Sequence, residues 1–150
     1  MKTSNYTLKL ISPEESYKVR HPVLRPGRPF ETCIFDGDTL ESTFHFGVFL
    51  NNELLGICSF FKNNHKNLDY NTQYQLRGMA ILNYQQGKGL GKLVLNFAEN
   101  HIKSLGIKIV WCNAREVATK FYVKNDYSIF GEPFNIEGIG THYAMFKVLN

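Results

Sequence analysis

The sequence predicts a mixed α+β fold, in which a twisted and mostly antiparallel sheet with one parallel strand pair is flanked by helices. Three strand-like runs follow one another between residues 44 and 82, which is typical of an antiparallel meander. A helical pattern at 90–105 then leads to another apolar run at 107–112, and a helix between two strands allows those strands to be parallel. The 12 Phe and 8 Tyr residues favour a sheet-rich core. The 150 residues fit one domain, 1–150.

The N-terminal part predicts a strand and a helix followed by an irregular segment. Residues 7–11 alternate in polarity as a half-buried strand does. Ser12 can cap a helix whose first position is a proline, and Glu15 completes a capping box. Pro22 is predicted to end this helix early. Residues 22–43 are rich in Pro and Gly and support no prediction of regular structure.

The middle of the chain predicts a hairpin, a further strand and an amphipathic helix. Residues 44–50 and 54–61 are strand-like and flank the polar connector 51–53. Residues 74–82 form the next predicted strand. Residues 90–105 place their apolar side chains at helical spacing.

The C-terminal third predicts one buried strand, one helix and two closing strands. Gly106 is a good C-terminal cap for the preceding helix. The run 107–112 is apolar except for one lysine, as in a parallel strand covered on both faces. Residues 114–124 have a helical pattern, and 127–130 and 141–149 are strand-like.

Charge and cysteine content exclude several classes of protein. The net charge of +4 is mild and the 17 basic residues are scattered, so no nucleic-acid partner is expected. Cys33, Cys58 and Cys112 are odd in number and far apart, which argues against a disulfide framework or a zinc site, and Cys58 and Cys112 are predicted to be buried. No signal peptide and no membrane-spanning run is apparent, so a cytoplasmic protein without membrane or metal partners is expected.

The motif with the clearest chemistry is a glycine-rich loop between a predicted strand and a predicted helix. Gly87, Gly89 and Gly91 allow tight turns and close approach of a ligand. The unpaired N–H groups that begin the helix lie at its positive end, so the segment predicts a phosphate or pyrophosphate site. Neither of two other glycine motifs fits. A Walker A loop would need Ser or Thr in place of Leu93, and a dinucleotide fingerprint would need glycine in place of Lys92.

Two segments together resemble a known family. Residues 86–91, Gln-Gly-Lys-Gly-Leu-Gly, resemble the acyl-coenzyme A signature of the GNAT acetyltransferases. Residues 113–124 resemble that family's second block, in which an Asn after a strand precedes a helix ending in Phe-Tyr-x-Lys. Where the family usually has Gly-Phe after this helix, the chain has Asp126-Tyr127, and Asn125-Asp126 can still make the turn. The resemblance implies a GNAT fold whose parallel strand pair splays apart.

The resemblance also implies how acetyl-CoA would bind. The backbone of Met79 and Ile81 would pair with the pantetheine arm, as an extended peptide pairs with a strand edge. The N–H groups of the glycine loop would hold the pyrophosphate, and the Asn113 amide would contact the arm, although Asn113 is also predicted to cap the following helix. The residues expected to bind the cofactor are Met79, Ala80, Ile81, Gln86, Gly87, Lys88, Gly89, Leu90, Gly91, Lys92, Asn113, Ala118, Phe121 and Tyr122.

The implied reaction is direct transfer of the acetyl group to a primary amine in a ternary complex. By resemblance, Tyr122 is the acid that protonates the departing thiolate. The strand before the glycine loop offers Gln75 and Arg77 but no carboxylate as a base, so His142 is the candidate, with His45 or a water relay as alternatives. Without catalysis, the same fold could serve as an acyl-CoA-binding or sensing module.

The acceptor is expected to be a small-molecule amine. Residues 20–29 carry three arginines and a histidine among stiffening prolines. Arg25 and Arg28 are predicted to bind an anionic group on the acceptor, because guanidinium forks match carboxylates and phosphates. A solvated surface loop is the alternative. The chain is expected to be a monomer or a homodimer.

Overall fold

The alternating apolar residues of the strands form one mixed sheet in the computed structural model, which describes residues 5–150. The sheet order is β1-β2-β3-β4-β5-β8-β6, and β7 pairs with β8. Strands β4 and β5 pair in parallel, whereas β1–β2, β2–β3, β5–β8, β6–β8 and β7–β8 pair antiparallel, so the predicted fold class is confirmed. The strands are β1 Tyr6–Ile11, β2 Phe44–Leu50, β3 Glu53–Lys62, β4 Tyr74–Ile81, β5 Ile109–Arg115, β6 Ser128–Ile129, β7 Phe134–Ile136 and β8 Gly140–Val148. The helices are α1 Pro13–Leu24, α2 Leu90–Ser104 and α3 Thr119–Lys124.

The described residues divide into two compact units. The first comprises residues 5–61 and 77–101, and the second comprises residues 62–76 and 102–150. Strand β4 belongs to the second unit up to Leu76 and to the first from Arg77 onwards. None of the helices in the described part of the chain is both long enough and apolar enough to cross a membrane.

The first unit contains the predicted hairpin and the predicted capping box. Asn51 and Asn52 have φ angles of 51° and 69°, which asparagine tolerates and a two-residue hairpin turn requires. The Ser12 hydroxyl accepts a hydrogen bond from the Glu15 N–H at 3.0 Å, and the Glu15 carboxylate accepts one from the Ser12 N–H at 2.9 Å. The expected end of α1 at Pro22 is wrong. Helix α1 continues to Leu24 because a proline in the last turn removes only its own N–H bond, and the Arg25 N–H still donates to His21.

Helix α2 packs its apolar face on the central strands of the first unit. Val94, Leu95 and Ala98 are fully buried. The Phe97 ring meets the Phe46 ring edge-on, with centroids 5.9 Å apart. The thiol of Cys58 on β3 is directed at the carbonyl of Val94. The α2 face predicted from the sequence therefore forms the core contact that orients the start of the helix.

A buried ion pair organises the segment after α1, for which no regular structure was predicted. Arg20 is fully buried, and its two terminal nitrogens lie 2.7 and 3.2 Å from the two oxygens of Asp38. The same carboxylate accepts hydrogen bonds from the Phe35 N–H at 2.7 Å and from the Tyr17 hydroxyl at 3.2 Å. Arg20 also donates to the carbonyl of Cys33 at 2.8 Å. One carboxylate thus connects α1 with the irregular segment after it.

His45 extends this polar network in a neutral form. Its Nε2 lies 2.8 Å from the Asp38 carbonyl, which can only accept, so Nε2 carries the proton. Its Nδ1 then accepts from the Ser59 hydroxyl at 2.6 Å. Burial lowers the pKa of His45 from 6.5, because the charged imidazolium is poorly solvated there.

The lowered pKa makes His45 a source of acid sensitivity. Below about pH 6.5 the unfolded chain binds a proton that the folded chain still excludes, so this contribution to stability is complete above that pH and declines as the pH falls. We expect His45→Gln to show a smaller loss of unfolding free energy between about pH 7.5 and pH 5 than the wild type. Urea unfolding at both pH values measures the difference. The pKa of His65 is also lowered, so a residual slope remains in both proteins, and identical slopes would contradict the prediction.

The second unit places β5 between β4 and β8. Tyr74–Leu76 of β4 run parallel to Val110–Cys112, and β5 pairs with β8 from Ile109↔Val148 to Arg115↔His142. The parallel pairing of β4 with β5 was predicted, but the end of β5 and the start of α3 were not. Strand β5 runs to Arg115 and α3 begins only at Thr119, because pairing with β8 holds residues whose pattern is helical in an extended form.

Other short features of the second unit follow from turn chemistry. Gly106 has a φ of 87°, as predicted for the cap after α2, and Asp126 has a φ of 74°, so it makes the turn where the family usually has glycine. Strand β7 was not predicted, since its three residues are too few for a recognisable alternation. All three cysteines are buried and none of them forms a disulfide within the described residues, which confirms the predicted burial of Cys58 and Cys112 and adds Cys33.

Candidate functional site

The glycine loop lies open at the start of α2. Gly87 and Gly89 have φ angles of 82° and 80°, a conformation that residues with a side chain rarely adopt. A methyl group added at either glycine would meet no atom within 4 Å. The space above both glycines is therefore available to a ligand.

Side chains of the loop hold its backbone in place. The Gln86 amide donates to the carbonyl of Ile81 at 3.0 Å and to the side-chain oxygen of Asn83 at 3.2 Å. The Lys88 ammonium donates to the Gln85 side chain at 3.1 Å. Gln86 therefore anchors the loop to the end of β4.

The first turn of α2 supplies donors and positive potential. The Leu93 N–H donates to the Gly89 carbonyl, so the helical hydrogen bonds begin at this glycine. The N–H groups of Leu90, Gly91 and Lys92 precede the first helical bond and point away from the helix. The first turn contains no acidic residue, and Lys88 and Lys92 are exposed. These features suit a pyrophosphate, as acetyl-CoA would require.

The C-terminal half of β4 combines an anchored core residue with two accessible neighbours. Ala80 is buried in a cluster with Val19 and Ile57. Met79 and Ile81 on either side are only half-buried. Gly78 has a φ of 69° inside the strand, which marks an irregularity of the kind that interrupts regular pairing.

The second unit holds the remaining predicted cofactor and catalytic residues. Tyr122 on α3 is buried, and its ring meets the rings of Phe121 and Tyr127 edge-on, with centroids 5.1 and 5.3 Å away. Its carbonyl accepts hydrogen bonds from the N–H groups of Asn125 and Tyr127, both at 3.0 Å. The turn after α3 thus fixes the backbone that carries the phenol.

Asn113 and Ala118 are arranged differently from the prediction for the helix start. Asn113 lies within β5 opposite Ala144 and is exposed, so its predicted N-cap role is wrong. Its side chain is accessible instead. Ala118 is the N-cap residue of α3 and makes no side-chain capping bond.

The two histidines proposed as bases have different environments. His142 is buried on β8, and its Nδ1 donates to the Gly140 carbonyl at 2.8 Å, so the neutral ring carries its lone pair on Nε2. Its ring stacks on the Phe134 ring, with the two ring centroids 5.9 Å apart. His45 has both ring nitrogens bonded within the first unit, as described above, so its role is structural.

The arginines predicted to bind the acceptor are not equivalent. The Arg25 guanidinium lies 5.7 Å from the centre of the Phe35 ring, whereas Arg28 is exposed and only its backbone bonds to Arg25 and His21 are evident. Arg77 of β4 lies on the same Phe35 ring, at 4.3 Å. Arg77 was not among the predicted site residues and was noted only because its strand carries no Asp or Glu to act as a base. A charged residue inside a mostly apolar strand was the available signal.

Comparison with known proteins agrees with this geometry. The sequence model of the Acetyltransferase (GNAT) family matches residues 10–127. A protein named "Uncharacterized N-acetyltransferase YitI" of Bacillus subtilis (strain 168) is 39% identical over 142 residues, which are 95% of each chain. The structure of Escherichia coli ElaA is similar with a TM-score of 0.76 and 16% identity, covering 95% of this chain and 99% of ElaA. An aminoglycoside 6'-N-acetyltransferase complexed with coenzyme A has a TM-score of 0.77 and 10% identity, covering 96% and 97%.

The chain belongs to the GNAT family of acetyltransferases. It is therefore an acyltransferase, and acetyl-CoA is its cosubstrate. The family match begins in β1 and ends at Tyr127, so it includes both the glycine loop and Tyr122.

Proposed function

We propose that residues 1–150 form one GNAT domain that transfers the acetyl group of acetyl-CoA to the primary amine of a small molecule in a ternary complex. The observation that carries the proposal is the open glycine loop at the start of α2, with two positive-φ glycines and no atom above them. The backbone N–H groups of residues 87–92 bind the pyrophosphate in this proposal, and the backbone of the half-buried residues Met79 and Ile81 pairs with the amides of the arm.

Direct transfer is supported by the state of the cysteines. An acyl-enzyme would need an accessible nucleophile, and Cys33, Cys58 and Cys112 are all buried. Burial raises the pKa of the Cys33 and Cys58 thiols and so disfavours their thiolate forms. The free thiols also support the proposal of a cytoplasmic location.

Tyr122 and His142 are the proposed acid and base. When bound, acetyl-CoA supplies the thioester, and the departing thiolate needs a proton. The Tyr122 hydroxyl donates it, since a phenol with the ordinary pKa of about 10 still carries its proton at neutral pH. The Nε2 lone pair of His142 accepts the proton of the amine, directly or through water, because Nδ1 is already occupied by Gly140.

The binding part of the proposal is tested by Gly89→Val. Valine at a φ of 80° is strained, and its side chain would fill the space assigned to the pyrophosphate. Losing two charge-assisted hydrogen bonds should raise the Kd for acetyl-CoA by roughly 100-fold or more. Isothermal titration calorimetry on the folded variant measures this Kd.

Gly106→Val is the matched control for Gly89→Val. Gly106 also has a positive φ, 87°, and open space around an added methyl group, but it lies at the other end of α2. The Gly106→Val variant should introduce the same backbone strain and leave the Kd for acetyl-CoA unchanged. Equal affinities in wild type and Gly89→Val would show that the pyrophosphate binds elsewhere.

A further inference from the structure

Three guanidinium groups of the first unit surround one phenylalanine ring. The Cζ atoms of Arg20, Arg77 and Arg25 lie 4.0, 4.3 and 5.7 Å from the centre of the Phe35 ring. Arg77 also lies 5.4 Å from the centre of the Phe61 ring. Arg25, Phe35 and Arg77 are partly exposed, so solvent reaches this arginine cluster, which we define as Arg20, Arg25 and Arg77 around Phe35.

The carboxylates near the arginine cluster neutralise Arg20 but form no ion pair with Arg77. Asp38 is already occupied by Arg20, Tyr17 and the Phe35 N–H. Asp36 is exposed and forms no ion pair with Arg77. Throughout residues 5–150 the Arg77 guanidinium has no hydrogen-bond acceptor, although burial and the Arg20 charge lower the pKa of Arg77. A partly desolvated guanidinium with five free N–H donors is an anion receptor.

A second unsatisfied donor lies beside the next residue of β4. The Nε atom of Arg20 is buried and lacks a hydrogen-bond partner among the described residues. It lies 3.1 Å from the position that a Cβ on Gly78 would occupy. The positive φ of Gly78 and its missing side chain therefore leave the irregular point of β4 next to two guanidinium groups.

We propose that Arg77, with the positive charge of Arg25 nearby, binds an oxyanion carried by the acceptor amine, either a carboxylate or a phosphate. This inference rests on the proposed function and names its substrate class, an amine that also bears an anion. It replaces Arg28 with Arg77 in the expectation drawn from the sequence.

The position of Arg77 on β4 connects the anion to the reaction. Arg77 precedes Met79 by two residues, or about 7 Å of strand, and the Met79 backbone is proposed to hold the cofactor arm. An anion bound by Arg77 would keep the amine near that strand. A polycationic protein tail would be repelled by the guanidinium groups of Arg25 and Arg77, so a small anionic amine fits the arginine cluster better.

The test is a specificity comparison with matched acceptors. Coenzyme A release is measured for amino acids against their amides and for phosphoethanolamine against ethanolamine, at constant ionic strength. We expect the wild type to have a lower KM for the anionic member of one pair, either the amino acids or phosphoethanolamine, than for its neutral counterpart. Arg77→Met should raise its KM by roughly 10–100-fold and leave kcat and the neutral amines nearly unchanged. The KM of Arg77→Lys should lie between those of the wild type and Arg77→Met, because lysine keeps the positive charge but lacks the two parallel N–H donors of a guanidinium. Arg28→Met is the control and should behave as wild type.

Each outcome decides the inference separately from the proposed function. Preference for carboxylates or for phosphates identifies the oxyanion. Equal KM values for Arg77→Met and wild type, or preference for polycationic peptides, would overturn the anion site while leaving the acetyltransferase intact. If no amine is acetylated, the proposed acceptor class is wrong. Binding at the anion site is then measured as the rise in Tm that acetate or inorganic phosphate causes. Stabilisation that is lost in Arg77→Met supports it, and stabilisation that is absent or unchanged refutes it.

Discussion

Tyr122→Phe should lower kcat by about 10²–10⁴-fold, which is the usual effect of removing a general acid. The Kd for acetyl-CoA should change little, because the substitution removes one oxygen and keeps the ring that packs between Phe121 and Tyr127. Without the phenol, the departing thiolate must take its proton from water. Steady-state kinetics on a good acceptor and calorimetry with acetyl-CoA separate the effects on turnover and on binding.

Tyr127→Phe provides the matched control for this experiment. Tyr127 is also buried in the second unit, and its ring touches that of Tyr122. It should retain turnover close to wild type. A Tyr122→Phe enzyme with wild-type kcat would assign the ring a packing role only, and coenzyme binding without turnover in the wild type itself would favour the binding-module alternative.

Asp38→Ala should lower the free energy of unfolding by about 3–5 kcal/mol, the range seen when one partner of a buried ion pair is removed. Arg20 would remain fully buried with its charge uncompensated, and Tyr17 and the Phe35 N–H would lose their acceptor. The effect is large because the Coulombic attraction disappears while the desolvation of Arg20 remains. Urea unfolding at neutral pH gives the free-energy difference.

Asp36→Ala is the control for the ion-pair experiment. Asp36 is two residues away, exposed and without an ion pair to Arg20. Its replacement should change stability by no more than about 0.5 kcal/mol. If Asp38→Ala were equally mild, water must enter and solvate Arg20, and the segment after α1 would not depend on this carboxylate.

The parts of the fold set by local chemistry could be predicted from the sequence. The hairpin at Asn51-Asn52, the capping box at Ser12 and the apolar face of α2 each depend on residues close together in the chain. The glycine loop belongs to the same class, since its turns and the start of α2 lie within six residues. Together these features defined the order of strands and helices along the chain, from which the parallel pairing of β4 with β5 was predicted.

The parts set by distant partners could not be predicted. The segment after α1 is ordered by Asp38 pairing with Arg20, eighteen residues earlier, and nothing in the sequence indicates that pairing. The end of β5 at Arg115 depends on its register with His142 of β8, which overrides a helical pattern. The same limitation applies to the arginine cluster, because Arg25 and Arg77 are distant in the chain and both lie against the Phe35 ring.

The burial of every cysteine determines how the enzyme can be followed in solution. A chromogenic thiol reagent added to the native protein should meet no accessible sulfhydryl, since Cys33, Cys58 and Cys112 lie in the interior. The coenzyme A thiol produced in each turnover is then the reacting species, and it accumulates without forming mixed disulfides with the protein. On unfolding, three sulfhydryls per chain become reactive at once, so the same reagent counts denatured molecules in a preparation.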